Sequence, residues 1–132
     1  MDTQNWYQSL LKPFWAPPSW LFGPVWTVLY AIIAVTFGAA GYLFWKGRIS
    51  FLVLLPFILN LIFNFAFTPI QFGLKNNFLA ALDIIFVLAT LIWALVAIWP
   101  HVRWIALANI PYLLWVIFAA ILQLTITYLN WK

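Results

Sequence analysis

The chain has 132 residues, 67% of them hydrophobic and only 6% charged, with a mean hydropathy of +1.05. Soluble domains carry about 25% charged residues, so a surface this poor in charge could not be kept in water; the protein is read as one membrane-integral domain over residues 1–132. A net charge of +4, spread over ends and loops, suits anionic headgroups and leaves no nucleic-acid footprint, and the absence of cysteine excludes disulfides and thiol chemistry.

Residues 1–18 read as a Trp- and Pro-dense loop. Trp6, Tyr7, Phe14 and Trp15 lie among Lys12, Pro13, Pro17 and Pro18, with Trp20 just beyond. Tryptophan prefers the headgroup level of a bilayer, and proline holds a loop extended. Together they predict a stiff aromatic lid over the mouth of a membrane bundle. The N-terminus shows no charged-then-apolar signal pattern, so the helices themselves must direct insertion.

Four apolar runs follow, at about 19–44, 51–70, 77–99 and 103–130, each long enough for a transmembrane helix. The connections, 45–50, 71–76 and 100–102, are short and force neighbouring helices to run antiparallel. The fold class is therefore an all-α integral membrane protein, an antiparallel bundle of four transmembrane helices behind the N-terminal loop. Lys12, Lys75 and Lys132 fall at the end that holds the termini, and Lys46, Arg48 and Arg103 at the other, so the positive-inside rule has no bias to act on.

In the first run Ala31, Ala34, Gly38 and Gly41 share a helix face, and small residues let helices approach closely in lipid. Beside that face runs a larger stripe, Trp26, Tyr30, Ile33 and Phe37, which spacing alone assigns to packing and lipid contact. In the second run Asn60, Asn64, Phe67 and Gln71 share a face, and Pro56 is expected to kink the helix. Buried amides in lipid need partners, so these residues are either glue between helices or the lining of a pocket. Asp83 is the sole acid within the bundle. Counted from the 71–76 loop, it lies at the same depth as Asn64, which predicts an Asn64 amide donating to the Asp83 carboxylate, either to pin the helices or to serve a substrate or proton.

The fourth run would reach about 40 Å as a single helix, so a tilt or an extension beyond the hydrocarbon is expected. Tyr112, Trp115, Ala119 and Leu122 share one of its faces, and the small Ala119 leaves room for a flat molecule. Leu124, Tyr128 and Lys132 fit a sterol-type pattern that carries little weight. No Ser–His–Asp set, Gly-rich phosphate loop or metal-ligand cluster is present. The sole histidine, His101, stands beside Pro100 in a loop and is read as solvated rather than as an axial haem ligand. A bound tetrapyrrole would be held by shape, aromatic stacking and cations against its propionates.

The run Trp6–Tyr30, WYQSLLKPFWAPPSWLFGPVWTVLY, resembles the signature of the TspO/MBR family, the tryptophan-rich sensory or translocator proteins. Further matches follow in family order: Asn64 to Pro69 with Phe72-Gly73, then Ala81-Leu82-Asp83, then Pro111 to Trp115 with Phe118-Ala119. The resemblance covers roughly residues 5–130. It implies a membrane-embedded binding and sensory protein for flat hydrophobic ligands, porphyrins, haem or sterols, that requires no cofactor. The implied lining is Trp26, Tyr30, Asn64, Trp115, Phe118 and Ala119, with Trp15 and Trp20 in the lid and Gly23, Phe67, Asp83 and Leu122 as further ligand-binding positions. An enzymatic alternative is light- and oxygen-dependent porphyrin degradation, for which Trp26 and Trp115 are the catalytic candidates. A proton-coupled transporter is the third reading, weakened because the first run holds no acid and the chain no glutamate. Gln123 stands where the family usually has Asn, and Leu124 replaces a nearby tyrosine. The family has five membrane helices and its loop follows the first, so this chain is expected to lack that helix. The open flank, next to the small-residue face, is expected to admit a second copy as a homodimer.

Overall fold

The computed structural model describes residues 10, 15–16, 19–70, 74 and 76–130. Most of the Trp/Pro-rich loop, and with it Trp6, Tyr7, Pro13 and Phe14, lies outside them, as do Gln71, Phe72, Gly73 and Lys75. Every regular element among the described residues is helical: a 3₁₀ turn at Ser19–Leu21, then α1 (Phe22–Trp45), α2 (Phe51–Thr68), α3 (Asn77–Ile98), α4 (Arg103–Ala108) and α5 (Ile110–Leu129). Three stretches are long and apolar enough to cross a membrane, Gly23–Trp45, Asn77–Ile98 and Ile110–Leu129; the apolar stretch Phe51–Phe67 is shorter.

The first three runs become helices close to the expected bounds, because continuous apolar sequence leaves the backbone no better way to satisfy its polar groups in lipid. Pro56 lies inside α2, where its ring is buried and the helix continues through it. The fourth run departs from expectation. It is broken at Asn109 (φ −91°, ψ 4°) into the six-residue α4 and the twenty-residue α5. Two neighbouring residues account for the break. Pro111 sits in the first turn of α5, where its missing N–H leaves no gap, whereas within one continuous helix its ring would clash with the carbonyl of Leu107. The Asn109 side chain folds back and its Nδ2 donates to the Ile105 carbonyl at 2.8 Å, closing the last turn of α4.

The turn after α1 is equally specific. Gly47 adopts φ +73°, its N–H donates to Phe44 O at 2.9 Å, and Arg48 N–H donates to Leu43 O at 2.8 Å. This paired pattern ends a helix on a left-handed glycine. At the start of α3, Asn76 Oδ1 accepts from Leu79 N–H at 2.9 Å and caps the helix.

Aromatic pairs set the register of α1 against α2. Tyr30 lies near Phe65, Phe37 meets Phe57 edge-on with centroids 4.8 Å apart, and Phe44 meets Phe51 at 6.0 Å, so the two helices run antiparallel. The central helix is α3. It packs along α2, where Phe63 stacks on Phe86 at 5.1 Å, and along α5, whose Gln123 and Thr127 reach the Asn77 carbonyl. The core comprises Ile33 and Phe37 of α1, Phe57 of α2, Val87 and Leu91 of α3, Ile105 of α4 and Tyr112 and Val116 of α5.

Candidate functional site

Within that core a chain of polar side chains crosses the bundle. Asn60 and Asn64, one turn apart on α2, both face inward and are buried. From α5, the fully buried Tyr112 comes between them: its hydroxyl donates to Asn60 Oδ1 at 2.8 Å and accepts from Asn64 Nδ2. Asn60 Nδ2 donates to the Val87 carbonyl at 2.9 Å and to Thr90 Oγ1 at 3.2 Å, anchoring the chain on α3. At its other end, the Tyr30 hydroxyl of α1 donates to Asn64 Oδ1 at 3.4 Å. Five side chains from four helices thus bond to one another, and the buried ones among them have partners that lipid could not supply.

An aromatic group surrounds this chain. Trp26 and Tyr30, one turn apart on α1, lie with ring centroids 5.4 Å apart, and Trp26 meets Tyr112 edge-on at 6.4 Å. Trp26 is partly buried against the core, whereas Tyr30 keeps 40% of its surface exposed. A second group lies on α5. Trp115 and Phe118 are 5.4 Å apart, and Trp15 meets Phe118 edge-on at 5.8 Å. Ala119 is half-buried against the core, and Leu122 is buried with Ile126 in a smaller cluster over which Phe118, Leu10 and Ala16 pack.

The residues singled out by sequence therefore divide. Trp26, Tyr30 and Asn64 come together around Tyr112; Trp15, Trp115 and Phe118 come together along α5. Phe67 packs against the core from the end of α2. Trp20, 68% exposed, and Gly23, where an added Cβ would meet nothing within 4 Å, lie open at the start of α1. Asn60 and Tyr112 share helix faces with expected site residues but stand outside the expected ligand-binding set, as does Thr90. The available signal was one amide and two hydroxyls, each inside an otherwise apolar run, with the amide one helical turn from Asn64.

The expected hydrogen bond from Asn64 to Asp83 is not formed. The two helices do bring these residues to one level, since Asn60 opposite Val87 in an antiparallel pair sets Asn64 opposite residue 83. Asn64, however, turns toward α5 and α1 and spends its amide on Tyr112 and Tyr30. Asp83 stays buried, and its Oδ2 has no hydrogen-bond partner among the described residues. Gln123 is buried as well, its Nε2 donating to the Asn77 carbonyl and to Thr127 Oγ1, so it joins α5 to the start of α3. Among the described residues no three His, Cys, Asp or Glu side chains gather as metal ligands would. His101 is exposed in the turn between α3 and α4.

The TspO/MBR family model matches residues 1–129. The chain is 36% identical over 131 residues to the tryptophan-rich protein TspO of Archaeoglobus fulgidus, a stretch that covers 98% of this chain and 82% of that protein. It is 35% identical over 134 residues to the translocator protein of Homo sapiens, covering 97% of this chain and 74% of the relative. Against the tryptophan-rich sensory protein of Cereibacter sphaeroides it is 32% identical over 137 residues, covering 100% and 81%.

Proposed function

Because the chain belongs to the TspO/MBR family and is an integral, multi-pass membrane protein, we propose that it is a membrane-embedded binding and sensory protein for flat hydrophobic molecules of porphyrin, haem or sterol type. The observation that carries this reading is the grouping of Trp26, Tyr30 and Tyr112 around the Tyr30–Asn64–Tyr112–Asn60 chain, buried except at Tyr30. Sites for small hydrophobic molecules are mostly apolar and aromatic, with a few fixed polar groups that orient the ligand. Aromatic faces stack on a flat molecule, and side chains already locked to one another do not have to be ordered when it binds. Trp115, Phe118 and Ala119 of α5 supply the second wall, and Trp15 covers it from outside. The proposal extends to a homodimer formed through the small-residue face of α1.

Protoporphyrin IX titrated into the detergent-purified protein in darkness tests the reading. Tryptophan emission is expected to be quenched, and the Trp26→Phe/Trp115→Phe double variant to bind at least several-fold more weakly. Unchanged affinity in that variant would place the ligand elsewhere. The absorption spectrum of the bound porphyrin is expected to hold in the dark; its decay under illumination, slowed in the same variant, would favour the light-driven degradation reading instead.

A further inference from the structure

The proton order along the polar chain is dictated by a single backbone carbonyl. Val87 O can only accept, so the Asn60 atom 2.9 Å from it must be Nδ2, and Asn60 Oδ1 must face Tyr112. An amide oxygen also only accepts, so the one hydroxyl proton of Tyr112 goes to Asn60, at 2.8 Å. With that proton committed, the Tyr112 oxygen is an acceptor for its other neighbour, which fixes Asn64 with Nδ2 inward and Oδ1 toward α1. Asn64 Oδ1 can only accept, so in the 3.4 Å contact between them the Tyr30 hydroxyl is the donor. Each assignment follows from the one before, and hydrogen bonds aligned in this way polarise one another.

The chain therefore ends on Tyr30 with its proton turned inward and, among the described residues, no donor to its hydroxyl oxygen. Tyr30 is 40% exposed, beside the ring of Trp26. For Tyr30 to donate outward instead, the buried Asn64 oxygen would lose its only hydrogen-bond donor among the described residues. We infer that Tyr30 is a specificity-determining acceptor: the site selects flat apolar molecules that carry a hydroxyl or N–H donor at the edge facing Tyr30, and discriminates against the same skeleton bearing only an acceptor there. This inference rests on the binding reading above and adds to it the polarity of the ligand's polar group.

Two flat fluorescent probes that differ by one proton, 1-hydroxypyrene and 1-methoxypyrene, test it. Binding is read from energy transfer out of tryptophan in the detergent-purified protein, with protoporphyrin IX titrated in parallel. The parent is expected to bind the hydroxyl probe about five-fold more tightly than the ether, the ratio one hydrogen bond sustains. In Tyr30→Phe the ratio is expected to fall to about one, while Tyr42→Phe, an exposed tyrosine at the far end of α1, keeps the parent ratio. Equal binding of both probes by the parent, or a ratio that survives Tyr30→Phe, overturns the inference and leaves the binding reading standing. Binding of protoporphyrin but of neither pyrene also overturns the inference alone. Failure of all three ligands overturns both.

Discussion

One hydroxyl, that of Tyr112, links α2 to α5 and has both of its hydrogen-bonding capacities used inside the core. Tyr112→Phe keeps the ring and its packing, so the change isolates the polar term. It leaves Asn60 Oδ1 and Asn64 Nδ2 buried without this partner, and a buried polar group left unsatisfied costs about 1–3 kcal/mol. The thermal midpoint in detergent, followed by circular dichroism, is expected to fall clearly below that of the parent; an unchanged midpoint would mean the chain contributes nothing to stability. The need of Asn60 and Asn64 for partners was legible in the sequence, because two amides one turn apart in an apolar helix must face something polar. Which partner they take was not. Asn64 and Asp83 do share a depth, but successive side chains differ by about 100° around a helix, so a modest rotation of α2 decides between Asp83 and Tyr112.

At the scale of elements, the runs of apolar residues read out as helices and the turns carried their own chemistry. Gly47 is the clearest case. Its φ of +73° lies where an L side chain is disfavoured, and a Cβ added there meets nothing within 4 Å, so Gly47→Ala tests the backbone alone. The left-handed conformation is expected to cost about 1–2 kcal/mol, lowering the thermal midpoint without altering helix content. A midpoint equal to the parent's would show that the α1–α2 turn relaxes freely. The break at Asn109 was less visible. Pro111 is compatible with the first turn of a new helix, but also with a kink in a single long one. The choice depends on Ile105 and Tyr112, both fully buried, which tie α4 and α5 to the bundle at different places.

For the whole molecule, the small-residue face of α1 points out of the bundle: Ala31, Ala34 and Gly38 are exposed, and Gly41 is half-buried. A Cβ at Gly38 meets nothing within 4 Å, so Gly38→Leu leaves the packing of one copy intact and reports on contacts between copies. Close helix approach in lipid requires small residues, and the larger side chain would hold two such faces apart. Light scattering in detergent is expected to show the proposed dimer in the parent and a lower mass in Gly38→Leu. A parent monomeric throughout, or a variant that keeps the parent's full mass, would remove this face from consideration.

The sequence by itself determined the solvent, the helical class and the family. With 6% charged residues, the chain has no route to a water-soluble surface, and an apolar run in lipid must form its hydrogen bonds internally. These properties add up along the chain and need no knowledge of neighbours. Only the tertiary structure decided that the fourth run splits, that Asn64 serves Tyr112 rather than Asp83, and that the Val87 carbonyl orders the protons as far as Tyr30. Each of these turns on which way a side chain points around its helix axis. That rotation is set by packing among helices distant in sequence, because in lipid no hydrophobic difference between faces exists to announce it.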